Sequence, residues 1–248
     1  GLAQKGHQVY VVTSQVPGSP DHEIINGIEI FRPFDSARSF FRGLFFSIRL
    51  FSYLKNFLKK NPVDIVMNGA YSCTIPAAWA ARRMKIPSIT YVTYYYGKNW
   101  FKLVNPLSAA INYVVPVITL YLSRSDVICC PSKMVSEQVS RYSRSKTVVI
   151  PSPIDTDEIQ RVKDSVTAAA MRTRLGINPD EQFLVYVGRL SPEKNILNLL
   201  KTLNTSDLRY QLYIVGEGPE RNKIESLIDR LKLDGRVKLT GRKSHEET

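Results

Sequence analysis

Apolar residues along the chain fall into short β-branched runs, separated by longer stretches where they recur every three or four positions. The short runs predict strands at 8–13, 28–31, 64–67, 88–93, 127–130 and 147–150, and the longer stretches predict helices at 77–84 and 132–142. The same rhythm returns later as helix 168–175, strand 183–187, helix 196–203, strand 211–215, helix 219–231 and strand 237–240. Strands alternating with helices make a parallel sheet flanked by helices, so the fold class is α/β. "IPSPIDTDEI" at 150–159 places two prolines and a Ser/Asp/Thr cluster after a strand, which predicts a linker between two Rossmann-like domains, 1–153 and 154–248.

Two segments break the rhythm. In "RSFFRGLFFSIRLFSYLKNFLKK", residues 38–60, helical spacing gathers Arg38, Arg42, Arg49 and Lys60 on one side and Leu44, Ile48, Phe51, Leu54 and Leu58 on the other. An amphipathic core helix with a solvated basic face fits this pattern, and so does a helix lying on anionic lipid, with Phe45 and Phe46 beside the basic arc. The second segment, 103–122, has the length of a membrane span and no charged residue. Asn105, Pro106, Asn112 and Pro116 interrupt it between strands of one sheet, which predicts a buried or interfacial helix pair instead of a span.

At 248 residues and 44% hydrophobic, the chain can bury two cores. Its three cysteines, Cys73, Cys129 and Cys130, are odd in number and none is at C-x2-C spacing. A disulfide framework and a zinc site are therefore not indicated, and the expected compartment is reducing and cytoplasmic. The net charge of +12 is unevenly spread. Residues 1–150 hold 18 Lys and Arg against 7 Asp and Glu, and residues 151–248 hold 16 against 15. An anionic partner would thus meet the first half, and an anionic membrane is the partner expected, with peripheral attachment. The histidines His7, His22 and His245 read as structural.

The candidate chemistry lies in the second half. "VGRLSPEKN" at 187–195 joins a strand to a helix: Gly188 permits a tight turn and close approach, and Arg189 and Lys194 put two cations at the carboxyl end of the sheet. With the helix N-terminus this outlines an anion site. Glu193 and Asn195 flank Lys194, so the turn is not a Walker loop. One strand later, "VGEGPE" at 215–220 repeats the design with Gly216, Glu217, Gly218 and Pro219, and two adjacent strand ends then offer amides to one phosphorylated ligand. No G-x-G-x-x-G with a distant acidic residue follows a strand, which excludes a dehydrogenase. "YVTYYYGKNWFK" at 91–102 interleaves aromatics with lysines, as single-strand nucleic-acid grooves do, but no RNA-binding signature accompanies it and no nucleic-acid partner is expected.

"FLVYVGRLSPEKNILNLL" and "YQLYIVGEGPERNKIESLIDRLKLDGRVKLTGR" resemble the donor-domain core of glycosyltransferase family 4, and "LAQKGHQVYVVT", "SDVICCPSKMVSEQV" and "VVIPSPIDTDEI" resemble the same family's N-terminal domain. The resemblance implies the two-domain GT-B fold and retaining transfer of a sugar from a nucleotide-diphosphate donor, without a tightly held metal or other cofactor. It implies an acceptor that is a lipid, a lipid-linked sugar or a polysaccharide. Arg189 and Lys194, beside Gly188, would grip the donor diphosphate, and Gly216, Glu217 and Gly218 would form a donor-side loop. Where the family commonly has a His near the reacting sugar, this sequence has Tyr94 or Tyr95, which makes these two the candidate acceptor-cleft positions. A phenol is a poor base at neutral pH, so no catalytic residue is assigned to them. The usual Asn-Gly of the linker is Ser152-Pro153. The chain reads as lacking the first strand and the family's Glu-x7-Glu, hence as an inactive fragment cut at both ends. A nucleotide-sugar epimerase of the same architecture is the alternative reading.

Overall fold

The computed structural model of the chain describes residues 1–35, 40–69, 73–154, 156–165, 170, 172–173, 183–206 and 210–243. By its internal contacts the chain divides into one unit of Gly1–Ser152 and another of Pro153–Thr248.

The first unit holds two sheets. In one, β1 (Val9–Gln15) pairs in parallel with β3 (Ile28–Asp35), and β2 (His22–Ile25) pairs antiparallel on β3's other side. Strand β2 is an addition to the sequence-based pattern. Asn26 and Gly27, both at positive φ, close a two-residue hairpin into β3, as an Asn-Gly pair does in a type I′ turn. The other sheet is wholly parallel, in the order β4 (Val66–Gly69), β5 (Ser88–Tyr91), β6 (Val127–Cys130), β7 (Lys146–Val149). All three cysteines are free, and Cys129 and Cys130 lie buried inside β6.

Helices α1 (Phe40–Lys60) and α2 (Thr74–Arg83) share one core, in which Leu50, Leu54, Leu58, Ala77 and Ala80 meet Val12 and Phe34 of the first sheet and Val66 of the second. Over its described part α1 is therefore a core helix. Ile48, expected on the buried side, is 58% exposed, because the buried stripe runs through Leu50, Leu54 and Leu58. Of the expected basic arc, Arg49 lies over the Phe34 ring at 4.7 Å, and Arg38 and the side chains of Arg42, Leu44, Phe45 and Phe46 lie outside the described residues.

The segment expected to be a helix pair is a four-residue α3 (Trp100–Leu103) followed by one 18-residue helix, α4 (Pro106–Ser123). Asn105 and Pro106 start α4 where the sequence reading had them interrupt a helix. The Asn105 side chain accepts from the Ser108 N–H at 3.0 Å and Pro106 occupies the first turn. Pro116 sits inside the helix without ending it. Helix α5 (Lys133–Ser140) follows β6, and its Val135 and Val139 pack with Leu120 and Ile128.

The second unit opens with α6 (Thr156–Ser165), whose first turn occupies the last residues of the expected linker. The helix expected at 168–175 falls largely outside the described residues. A parallel sheet in the order β10 (Val237–Gly241), β9 (Gln211–Val215), β8 (Phe183–Val187) is backed by α7 (Ile196–Asn204) and α8 (Arg221–Leu231). Their apolar stripes bury Ile196, Leu200, Ile224, Leu227 and Ile228 against Leu212 and Ile214. Leu184, Val185 and Val187 of β8 remain 40%, 51% and 53% exposed, which marks a sheet edge with an uncovered face.

Candidate functional site: two interlocked glycine loops

The ends of β8 and β9 run on as paired backbone. The Gly188 N–H donates to the Val215 carbonyl at 3.0 Å, the Leu190 N–H to the Glu217 carbonyl at 3.0 Å, and the Glu220 N–H back to the Leu190 carbonyl at 3.0 Å. At the next strand end the Gly216 N–H donates to the Gly241 carbonyl at 2.9 Å. This clasp explains the glycines. A Cβ on Gly216 would stand 1.9 Å from the Gly188 carbonyl oxygen, and one on Gly218 would stand 2.3 Å from the Leu190 carbonyl oxygen. Gly216 is also at φ +144°, where a side chain is strained. The close approach expected at these glycines is thus realised first between the two loops themselves.

Below the clasp Leu190 and Ser191 are buried, and Ile196 starts α7 at the core. Between them Pro192–Lys194 makes a single 3-10 turn, entered from extended Ser191 and left through Asn195 in the left-handed region. Arg189 and Lys194 therefore flank a buried anchor with their side chains at the exposed surface. Among the described residues the N–H groups of Arg189, Glu217 and Gly218 have no acceptor. Two exposed cations and free amides on adjacent loops at the carboxyl end of a parallel sheet are the groups that an anion cradle needs, and they make this the candidate anion site.

Residues outside the expected set shape this cradle. The Tyr186 hydroxyl donates to the Arg189 carbonyl at 3.0 Å, fixing the turn from the strand below it. Burial pushes its phenol up, with the Glu193 charge adding to the effect. The Ser191 hydroxyl donates to the Glu193 carboxylate at 2.6 Å, and this bond, then the Glu193 amide, then the charges of Arg189 and Lys194, hold Glu193 below the usual carboxylate range. Both cations thus act on one carboxylate and belong to one patch. The Glu217 carboxylate pairs with Arg221, which also donates to Glu225 at 2.8 Å. Tyr186 was hidden in the sequence as one apolar member of a strand, whereas Glu193 lay inside the quoted motif.

In the first unit Tyr94 and Tyr95 follow β5 and line one small cavity with Thr74, Thr90, Pro116 and Thr119. Tyr94 is 45% exposed, and its ring lies 5.2 Å from that of Tyr96. Tyr95 turns inward, 5.6 Å from the Tyr142 ring, and the Tyr142 and Tyr113 hydroxyls are 3.3 Å apart. Burial first, then these neighbouring phenols, raises the Tyr95 pKa further, so it stays a neutral phenol. The structure places Tyr94 at a surface and Tyr95 in the packing.

Comparison with known proteins agrees with this architecture. The model for Glycosyltransferase Family 4 matches residues 1–158, and that for Glycosyl transferases group 1 matches residues 168–248. The chain is 28% identical over 263 residues to the alpha-monoglucosyldiacylglycerol synthase of Streptococcus pneumoniae, covering 100% of this chain and 57% of that protein. It is 23% identical over 256 residues to the enzyme of the same name from Acholeplasma laidlawii, covering 97% of this chain and 63% of that protein. Among solved structures, a glycosyltransferase from Rickettsia africae superposes with a TM-score of 0.67 at 16% identity, covering 98% of this chain and 62% of that one. Anabaena Alr3699/HepE in complex with UDP and glucose gives a TM-score of 0.60 at 16% identity, covering 88% and 57%. Parallel sheets flanked by helices, GT-B neighbours and a family match across more than half of its length lead to one assignment: the chain belongs to glycosyltransferase family 4.

Proposed function

We propose that the protein carrying this chain transfers a hexosyl group, with retention of configuration, from a nucleotide-diphosphate sugar to a lipid acceptor of the diacylglycerol type. The observation that carries this reading is the clasp of the 187–191 and 215–220 loops, with Arg189 and Lys194 exposed beside it. The names of the two synthases support the lipid acceptor, and the UDP complex of a structural neighbour supports a uridine nucleotide.

In such a reaction the bond from the anomeric carbon to the diphosphate breaks, and the acceptor hydroxyl forms the new bond on the same face of the sugar. Negative charge grows on the departing diphosphate. Fixed cations and amides stabilise that charge more in the transition state than in the ground state, without reorganising. Arg189 and Lys194 fill this role without help from a tightly held metal. Tyr94 is the candidate contact on the acceptor side. The net positive charge of residues 1–150 suits attachment to the cytoplasmic face of an anionic membrane, where a lipid acceptor would be met.

In the complete protein, Arg189→Ala and Lys194→Ala should each lower kcat/KM for the donor by about 100-fold, the scale of one lost charge-stabilising group. UDP affinity measured by calorimetry should fall as well. Near-normal kinetics in both variants would remove the two residues from the donor site.

A further inference from the structure

Helix α4 has no Asp, Glu, Lys, Arg or His, yet it is not a buried helix. From Leu107 onward its exposed positions are Leu107, Ile111, Val114, Ile118, Tyr121 and Leu122, and every one is apolar or aromatic. Their spacing puts them on one stripe about 100° wide. Ala109, Thr119, Leu120 and Ser123 are buried on the opposite side. A water-facing helix normally carries its polar residues on that outer face, and a continuous apolar stripe marks a contact surface. Leu120 on the buried side packs against Ile128 of the parallel sheet, so α4 rests on the first unit along one face, although its length and composition alone would allow a span.

What covers the stripe is indicated by charge. At the C-terminal end of α4 a groove of about 600 Å³ is lined by Trp79, Arg82, Arg83, Lys85, Leu122 and Arg124. Leu122 belongs to stripe and groove alike, and the Trp79 indole donates to its carbonyl at 2.8 Å with the ring 47% exposed. Among the described residues none of the four cations lies within ion-pair distance of a carboxylate, and Arg82 alone acts at longer range on one, Asp126. A fifth, Arg144, lies over the Tyr121 ring at 4.4 Å. At the other end of α4, Phe101 is 52% exposed and Lys98 and Lys102 are exposed too. An apolar stripe with cations at both ends would repel a second copy of itself, whether the two helices met parallel or antiparallel. It complements a surface that is apolar inside and negatively charged outside.

We infer that α4 lies in the interface of an anionic lipid bilayer, with its stripe among the acyl chains and lipid phosphates held in the groove by Arg82, Arg83, Lys85 and Arg124. This rests on the membrane-peripheral reading and moves the contact from α1 to α4, whose stripe, unlike the described face of α1, is exposed.

The test is sedimentation of the complete protein with phosphatidylglycerol vesicles and with phosphatidylcholine vesicles. The wild type should prefer phosphatidylglycerol. Arg82→Gln combined with Arg124→Gln should weaken that binding about 25-fold, near fivefold for each cation at the surface, and leave phosphatidylcholine binding unchanged. Ile111→Glu combined with Ile118→Glu should weaken binding to both vesicles by about 10-fold or more. Circular dichroism and a denaturant melt of each variant serve as the check that the first unit, which carries all four positions, is folded. If the wild type binds and both double variants bind equally well, the α4 surface is wrong while the peripheral reading survives. If the wild type binds neither vesicle, the peripheral reading falls and the inference with it. If the isoleucine variant converts a dimer to a monomer, the stripe belongs to a second copy and the inference is overturned.

Discussion

Glycines at 188, 216 and 218 have a more exacting role than lending flexibility to a phosphate loop. Each stands where another atom occupies the space of a side chain: the Tyr186 hydroxyl 2.8 Å from a Cβ on Gly188, and backbone oxygens still nearer to those on Gly216 and Gly218. Backbone cannot step aside as the end of a flexible side chain can. Gly216→Ala should therefore destabilise the second unit by about 3 kcal/mol, the upper part of the range for overpacking. Gly235→Ala, where nothing lies within 4 Å of the added atom, should stay within about 0.5 kcal/mol, and denaturant melts of the two variants make the comparison. The two Gly-bearing motifs were legible in the sequence, because in both a strand runs into a glycine turn and then a helix. Their mutual clasp was not legible, since it depends on which strand ends are neighbours and on pairing that continues past them. Tyr186 was unreadable for a similar reason: a tyrosine in an apolar run gives no sign of which backbone oxygen its hydroxyl will reach.

Among elements, the parallel sheet of the first unit is tied at its lower end by one carboxylate. Asp126, just before β6, accepts from the Ser88 N–H at 2.8 Å and from the Ser88 hydroxyl at 2.9 Å at the start of β5. Those two bonds, the backbone one first, hold its pKa below the usual carboxylate range. A pKa lowered by folding contributes stability above the unfolded value, about 3.9, and loses it as pH falls through the lowered value. Asp126→Asn should cost about 1 kcal/mol at neutral pH, discounted for the exposure of the group, and should flatten the acid limb of the stability curve below about pH 4. Elements were more legible than contacts. Each strand expected from β-branched runs is present, whereas β2, only four residues long, is marked by little more than the Asn26-Gly27 turn between "EII" and "IEI". Helix α4 was misjudged because Asn105 and Pro106, which cap and start it, look the same in a sequence as residues that break a helix.

Across the molecule, charge and chemistry are divided. Residues 1–150 carry the large basic excess and residues 151–248 are close to neutral, so the anion cradle relies on locally placed cations and free amides, not on the field of its own half. Long-range attraction between exposed charges is screened over about 10 Å at 0.1 M salt and about 3 Å at 1 M, while closely held groups are screened less. Raising NaCl from about 0.05 M to about 0.5 M should therefore release the protein from phosphatidylglycerol vesicles far more than it weakens UDP binding. Parallel loss of both would mean that the donor, too, is held by diffuse charge. The division into basic and neutral halves was fully legible in the sequence, since it needs only counting. The cationic groove was not, because Trp79, Arg82, Arg83 and Lys85 meet Leu122 and Arg124 only through the packing of α2 against α4.

The clasp also bears on how this enzyme family can be recombined. A chimera that exchanges residues 186–191 with those of a relative but keeps 215–220, or the reverse, must rebuild a backbone junction with no room for one additional carbon atom. Crossover points therefore belong outside the pair, before β8 and after the first turn of α8, so that both loops travel as a single module. Arg189 and Lys194, exposed positions on that fixed frame, then travel with both loops unchanged.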